Sequence, residues 1–281
     1  MPRRTSKRRI DRLTDGVASS RGDTVVTEEP LEIRLDGRSL VITMRTPGDD
    51  FDLAAGFLVS EGVVTRHEQV RGIRYCAGAT ADQANTYNIV DVQLDPDVEV
   101  PEFTLERNFY ATSSCGLCGK ASLDAVRTTA RWTVHDDEVA IDPDLLATYP
   151  DRLRSAQRVF DRTGGLHAAA LFTAQGELVY LREDVGRHNA VDKLVGRALL
   201  DDRLPLRHTV LLVSGRASFE LVQKAAMAGI PCLAAVSAPS SLAVDLAEET
   251  GMTLVGFLRG RSMNVYAGRH RVDSRQAAVG G

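Results

Sequence analysis

"HTVLLVSGRASFELVQKAAMAGIPCLAAVSAPSSLAVDLAEETGMTLVGFLRG", residues 208–260, alternates three short apolar runs with two amphipathic segments of about ten residues. The runs "HTVLLVSG", "IPCLAAVS" and "MTLVGFLRG" read as buried strands, and "FELVQKAAMAGI" and "SLAVDLAEETG" as helices between them. Strands linked through helices lie parallel, because a crossover of that length returns the chain to the same edge of the sheet. Ligands of such open sheets bind at the carboxyl ends of the strands, where backbone amides and helix N-termini point outward. Three loops fall there: "SGRAS" at 214–218, "SAPSS" at 237–241 and "FLRGRS" at 257–262. They bring Ser214, Gly215, Arg216, Ser237 and Ser240 together with Arg259 and Arg261, a set suited to a phosphorylated, nucleotide-like ligand.

Working toward the N-terminus, "RHNAVDKLVGRALL" reads as an amphipathic helix and "LHAAALFTAQGELVYLRED" as a hairpin. "DPDLLATYPDRLRSAQRVFDRTGG" reads as one helix that begins at a capping aspartate and ends at paired glycines. Helix, hairpin, helix, then strand and helix in alternation is also the element order of the cytidine-deaminase-like fold. Further upstream, "LEIRLDGRSLVITMRTP" predicts two strands turning at Asp36-Gly37, and "DDFDLAAGFLVSEGVV" a helix. Strands are expected at 70–78 and 86–95. The fold class expected is α/β: a cytidine-deaminase-like three-layer C-terminal domain with a smaller strand-rich α+β N-terminal domain. The divisions fall at 1–22 (a basic disordered tail), 23–107 (the N-terminal domain), 108–270 (the α/β domain) and 271–281 (a C-terminal tail).

The hydrophobic fraction of 43% and charged fraction of 26% are ordinary for a globular protein, and the formal charge of −4 argues against a general nucleic-acid binder. No apolar run approaches the length that crosses a bilayer, and "MPRRTSKRRI" lacks the apolar core of an export signal. Four cysteines, Cys76, Cys115, Cys118 and Cys232, make no disulfide framework in a chain of 281 residues, which fits a reducing cytoplasm. No membrane and no nucleic acid are expected as partners.

The deaminase element order does not bring deaminase chemistry. A zinc deaminase needs a glutamate after its His or Cys ligand and a later P-C-x-x-C. The corresponding places here hold His188-Asn189-Ala190 and Ser214–Ser218, and Pro231-Cys232 is followed by Leu233 and Ala234. The pair in "SSCGLCG" admits several readings. Structural zinc needs four ligands and only one tight pair exists, so no permanently bound metal is expected. The flanking Ser113, Ser114, Gly116 and Gly119 suggest an exposed segment. Lys120 and a helix starting beside it would favour thiolate, which suits group transfer. An inert pair of loop cysteines is the bland alternative. Cys76, Cys232 and His167 read as packed residues. In "REDVGRHNAVDK", residues 182–193, Glu183, Asp184, Arg187, His188, Asn189 and Asp192 are as suited to building a helix start as to a direct functional role.

"SSCGLCG", "EDVGRHNAVDK", "SGRASFELVQKAAMAGIP", "SAPSSLAVDLAEETGMTLVGFLRG" and "TPGDDFDLAAGFLVSEG", spread in order over residues 25–268, resemble the FdhD/NarQ family of sulfur-carrier accessory proteins required for formate dehydrogenase activity. The resemblance implies a homodimer acting between a cysteine desulfurase and the molybdenum cofactor, bis(molybdopterin guanine dinucleotide), held as a transient ligand. It implies a sulfurtransferase with a persulfide on Cys115 and Cys118 as its partner, and a cofactor site that includes Phe257, Leu258, Arg259, Gly260, Arg261 and Ser262. Whether Cys118 resolves the persulfide or relays sulfur stays open. The alternative from another class is a non-catalytic cofactor chaperone whose C-x-x-C senses redox state or binds zinc.

Overall fold

The computed structural model describes residues 3–76, 87–100 and 130–272; the expected sites Cys115 and Cys118 and the start of the helix expected beside Lys120 lie outside the described residues. Twelve strands and seven helices are described. They run β1 (Thr5–Thr14), β2 (Val17–Val26), β3 (Glu29–Leu35), β4 (Arg38–Arg45), α1 (Asp50–Ser60), β5 (Val70–Tyr75) and β6 (Ile89–Leu94). There follow α2 (Pro143–Leu146), α3 (Tyr149–Ala156), α4 (Phe160–Thr163), β7 (His167–Thr173), β8 (Leu178–Asp184) and α5 (Arg187–Leu200). The chain ends through β9 (Thr209–Val213), α6 (Phe219–Met227), β10 (Cys232–Ala235), α7 (Ser241–Thr250), β11 (Thr253–Arg259) and β12 (Ser262–Ala267).

The apolar runs of 208–260 form the centre of a six-stranded sheet of order β12-β11-β10-β9-β7-β8, in which β9, β10 and β11 are parallel and the flanking pairs antiparallel. Side chains alternate across a strand, and here both faces are buried. Val210, Leu212, Cys232 and Ala234 pack with Leu146, Tyr149 and Leu153 of α2 and α3 on one face. Leu211, Val213, Leu233 and Ala235 pack on the other with Leu194, Leu221 and Leu246 of α5, α6 and α7. That second cluster continues through Leu53 and Leu58 of α1 to Leu31, Ile33, Val90 and Val92 of a four-stranded sheet of order β4-β3-β6-β5. One apolar core therefore spans both sheets.

The junction is the crossing of α1 and α5. A Cβ on Gly56 would lie 1.8 Å from the Asp192 carbonyl oxygen, and a Cβ on Gly196 1.8 Å from that of Asp52. The two backbones touch there, so both positions must lack a side chain. Two charge clusters flank the contact. Arg182 donates to Asp52 at 3.0 and 2.7 Å, and Lys224 donates to both Asp192 oxygens at 2.8 Å while Ser60 Oγ adds a bond of 2.6 Å. Burial lifts the Asp52 carboxyl above the usual range against the pull of Arg182.

Two expectations need correction. The segment 1–22, expected as a basic disordered tail, carries β1 and most of β2, paired in register from Thr5↔Val26 to Thr14↔Val17. Asp15 and Gly16, both at positive φ, make the same turn that Asp36 and Gly37 make between β3 and β4. The single helix expected over 142–165 is three short helices. Asp142 caps the first as expected, accepting from Asp144 N. The chain restarts before Pro150, which lacks the N–H a continuous helix needs, and turns again at Gln157, whose ψ of 84° is not helical.

The Gly56/Gly196 contact predicts that Gly56→Ala, a good helix former elsewhere, destabilises the protein by about 3 kcal/mol or more through forced separation of the helices. Urea unfolding of the variant should show a lower midpoint with an unchanged slope.

Candidate functional site

The three loops meet at the carboxyl edge of β9, β10 and β11 because each is hydrogen-bonded to the next. Ala217 N donates to Ala238 O at 3.2 Å and Ser240 N to Ala217 O at 3.0 Å, and Phe257 N donates to Ser237 O at 3.1 Å. Antiparallel pairing of β7 and β8 brings His167, opposite Asp184, to the same edge, and the N-terminus of α5 follows directly. The edge thus unites the three loops with the start of β7 and the β8–α5 junction.

Among the expected ligand residues, some side chains are occupied in building the edge. Ser214 Oγ accepts from Ala168 N at 2.9 Å, extending the β7 pairing, and Ser240 Oγ caps α7 by accepting from Ala243 N at 3.3 Å. Leu258 is fully buried in the core cluster beneath α2 and α3, so its side chain does not face the edge. Arg261 is paired with the exposed Asp144, and Arg259 Nε donates to Val236 O at 3.2 Å, leaving its other nitrogens for a ligand. Arg216 is exposed and, among the described residues, has no ion-pair partner. Gly215 has His167 beside it and Gly260 sits at φ +51° in the β11–β12 turn, next to Ser262. Phe257 is 39% exposed and adopts φ +51°, a conformation uncommon for a bulky residue, within a register shift between β11 and β12. The shift turns its ring out of the sheet.

"EDVGRHNAVDK" divides between structure and edge. Asp184, fully buried, accepts from Thr46 N at 3.0 Å, Gly186 N at 2.8 Å and Asn189 Nδ2 at 3.0 Å, and pairs with Lys193 at 2.7 Å. Glu183 accepts from Val159 N and Phe160 N at 3.1 and 2.9 Å, starting α4. These carboxylates are consumed in joining α5 to β4 and α4. Arg187 and His188 are half-buried at the edge. Arg187 Nε is shielded from solvent and, among the described residues, has no hydrogen-bond partner. His188 Nε2 lies 3.1 Å from Glu220 Oε2 and 3.3 Å from Ser218 Oγ, which also donates to Glu220 at 3.1 Å. The hydrogen bond to His188 pushes the Glu220 carboxyl down to about 2. Burial, with Arg187 and His188 nearby, holds His167 below the usual imidazole value, so it remains neutral near pH 7.

Sequence reasoning therefore underweighted Arg187, treated His167 as core and missed Glu220. The visible signal for Glu220 was its position two residues after "SGRAS", in the first turn of α6. Of the described cysteines, Cys232 is fully buried and its thiol is pushed up to about 12 by burial, so it is no nucleophile. Cys76 follows β5 and is half-buried. Among the described residues, no three His, Cys, Asp or Glu side chains converge to hold a metal, and no helix is long and apolar enough to cross a membrane.

A carboxyl depressed in the folded protein contributes stability above its unfolded value near 4.5 and loses it as pH falls toward 2. Glu220→Gln should lower the thermal midpoint at pH 5.5, with the gap to the parent narrowing steadily as the pH is brought to 2. A gap independent of pH would assign the effect to packing alone.

Against this geometry, the family model described as FdhD/NarQ family matches residues 26–273. A protein of Streptomyces avermitilis named sulfur carrier protein FdhD is 72% identical over all of both chains. One so named from Saccharolobus solfataricus is 41% identical, covering 93% of this chain and 95% of its own. The crystal structure of a protein of Desulfotalea psychrophila described as a formate dehydrogenase accessory protein superposes with a TM-score of 0.77 at 25% identity, over 96% of this chain and all of that one. Both core sheets and all three edge loops fall within the matched residues, and the chain belongs to the FdhD/NarQ family.

Proposed function

We propose that the protein is a sulfur carrier that accepts sulfane sulfur on Cys115 from a cysteine desulfurase and passes it to the bis(molybdopterin guanine dinucleotide) molybdenum cofactor before formate dehydrogenase receives it. The observation that carries this reading is the interlocked edge itself: Arg187, Arg216 and Arg259 beside three loops, in a chain whose relatives are named sulfur carriers. The work belongs in the cytoplasm, and the element order suits a cytidine-deaminase-like topology for residues 108–270.

The Cys115 thiolate attacks the terminal sulfur of the desulfurase persulfide. A new S–S bond forms, the donor S–S bond breaks, and the desulfurase cysteine leaves as thiolate. The nucleotide ends of the cofactor dock as cargo on the edge. Guanidinium groups and loop amides hold the pyrophosphates, and the exposed Phe257 ring offers a face for the base. Attack by Cys118 on Cys115 then closes a disulfide and releases the terminal sulfur as the leaving group.

Intact mass spectrometry under non-reducing conditions, after incubation with an active desulfurase and cysteine, should show one added sulfur that reduction removes and Cys115→Ala never acquires. An unmodified parent protein would defeat the proposal.

A further inference from the structure

A groove of about 400 Å³ lies at the end of the six-stranded sheet remote from the three loops, between the last turn of α7, the start of β11 and the end of β12. A volume of that order suits a small molecule. β11 runs from this groove to the "FLRGRS" loop, so a strand about 23 Å long at the usual rise per residue separates it from the edge described above. Nothing in the proposed function uses it. Ala247, Met252, Val265 and Ala267 supply its apolar wall. Val265 pairs with Val255 and Ala267 with Leu254, which leaves Tyr266 as the extra residue of a bulge that bends β12 there.

Arg271 holds the groove in shape. Its side chain is 2% exposed and donates to the carbonyl oxygens of Val134, Asp137 and Gly251 at 2.7 Å and of His135 at 3.0 Å. The segment carrying His135 is thereby tied to the α7–β11 turn, and both line the groove. These acceptors are carbonyls, and the nearby Asp137 carboxylate is itself paired with His208 at 3.1 Å. Among the described residues no ion pair neutralises Arg271, so a positive field remains behind the groove wall.

The mouth is bipolar. Arg269 and His270 stand on one side, in the turn that follows β12. Burial, with Arg271 and His135 nearby, lowers His270 below the usual imidazole value, so near pH 7 it offers a neutral N–H. On the other side is Glu248, in a last turn of α7 that has no basic residue to balance the negative end of the helix. Glu248 and Arg269 line one groove with opposite charges, yet among the described residues neither has an ion-pair partner. A lone anion would meet Glu248 uncompensated, and a lone cation would meet Arg269 and the field of Arg271. A ligand with one group of each sign satisfies both sides.

We infer that the groove binds a free α-amino acid with an apolar side chain. Its carboxylate meets Arg269 and His270, its ammonium meets Glu248, and its side chain covers the wall of Met252 and Val265. The inference is independent of the sulfur chemistry, because no residue of the groove belongs to the edge.

Ligand-observed NMR titration of the full chain with L-leucine tests it, beside isopentylamine, which lacks the carboxylate, and isocaproate, which lacks the ammonium. L-Leucine should bind with a millimolar or lower dissociation constant, and each analogue at least tenfold more weakly. Arg269→Ala and, separately, Glu248→Ala should each raise the leucine dissociation constant at least tenfold with an unchanged circular dichroism spectrum. Both side chains are exposed, so neither truncation removes core packing. Failure of leucine to bind at millimolar concentration overturns the inference, and so does either variant binding like the parent. Isocaproate binding as tightly as leucine overturns it in favour of a simple anion site, and isopentylamine doing so overturns it in favour of a cation site.

Discussion

Backbone contact between α1 and α5 is the constraint on which the rest of the structure depends. At Gly56 and Gly196 the helices approach until a single methyl group would collide with a carbonyl oxygen. Dispersion over so close an interface is strong, and nothing can be inserted without moving one sheet against the other. The ion pairs Arg182–Asp52 and Lys224–Asp192 hold the register of the crossing, since a shift would leave buried charges unpaired. The rigid body so formed extends to the edge. The last residue of β8, Asp184, is locked to Thr46 and Lys193, and this fixes where α5 presents Arg187 and His188.

A single run of charged residues thus serves two purposes. Glu183, Asp184, Asp192 and Lys193 are buried and spent on assembly, while Arg187 and His188 stay half-buried at the edge. The division follows from position: residues at the end of a strand face the core or a neighbouring loop, and those opening the next helix face the crevice. Glu220, held ionised by His188 and Ser218, keeps a negative charge at the N-terminus of α6, beside the loop that carries Arg216. A polyanionic cargo would therefore meet both attraction and one fixed repulsion on this surface.

The central sheet was legible because its signals are local: buried strands read as continuous apolar runs, and the loops after them follow by geometry. The Asp36-Gly37 turn was legible for the same reason. The same Asp-Gly dipeptide at Asp15-Gly16 lies in a stretch whose basic composition reads as a tail, although alternation of charged and small residues is compatible with a ribbon exposed on both faces. The broken helix over 142–165 shows that a capping residue and paired glycines locate ends but not interruptions. At the edge, the residue types were readable while their duties were not. That Leu258 turns inward and Phe257 outward depends on an irregularity between β11 and β12, and the partners of Ser214 and Ser240 depend on loop contacts that no sequence pattern encodes.

Under the proposed function a cysteine pair would receive sulfur and an arginine-bearing edge would hold the recipient, so the two steps should be separable. The direct measurement follows labelled sulfur from cysteine, through the desulfurase, to the molybdenum cofactor in a purified system, with the parent protein beside an Arg187→Ala, Arg216→Ala variant. The account predicts that the variant still gains persulfide on Cys115 while transfer to the cofactor falls by at least tenfold. Undiminished transfer by a correctly folded variant would contradict it.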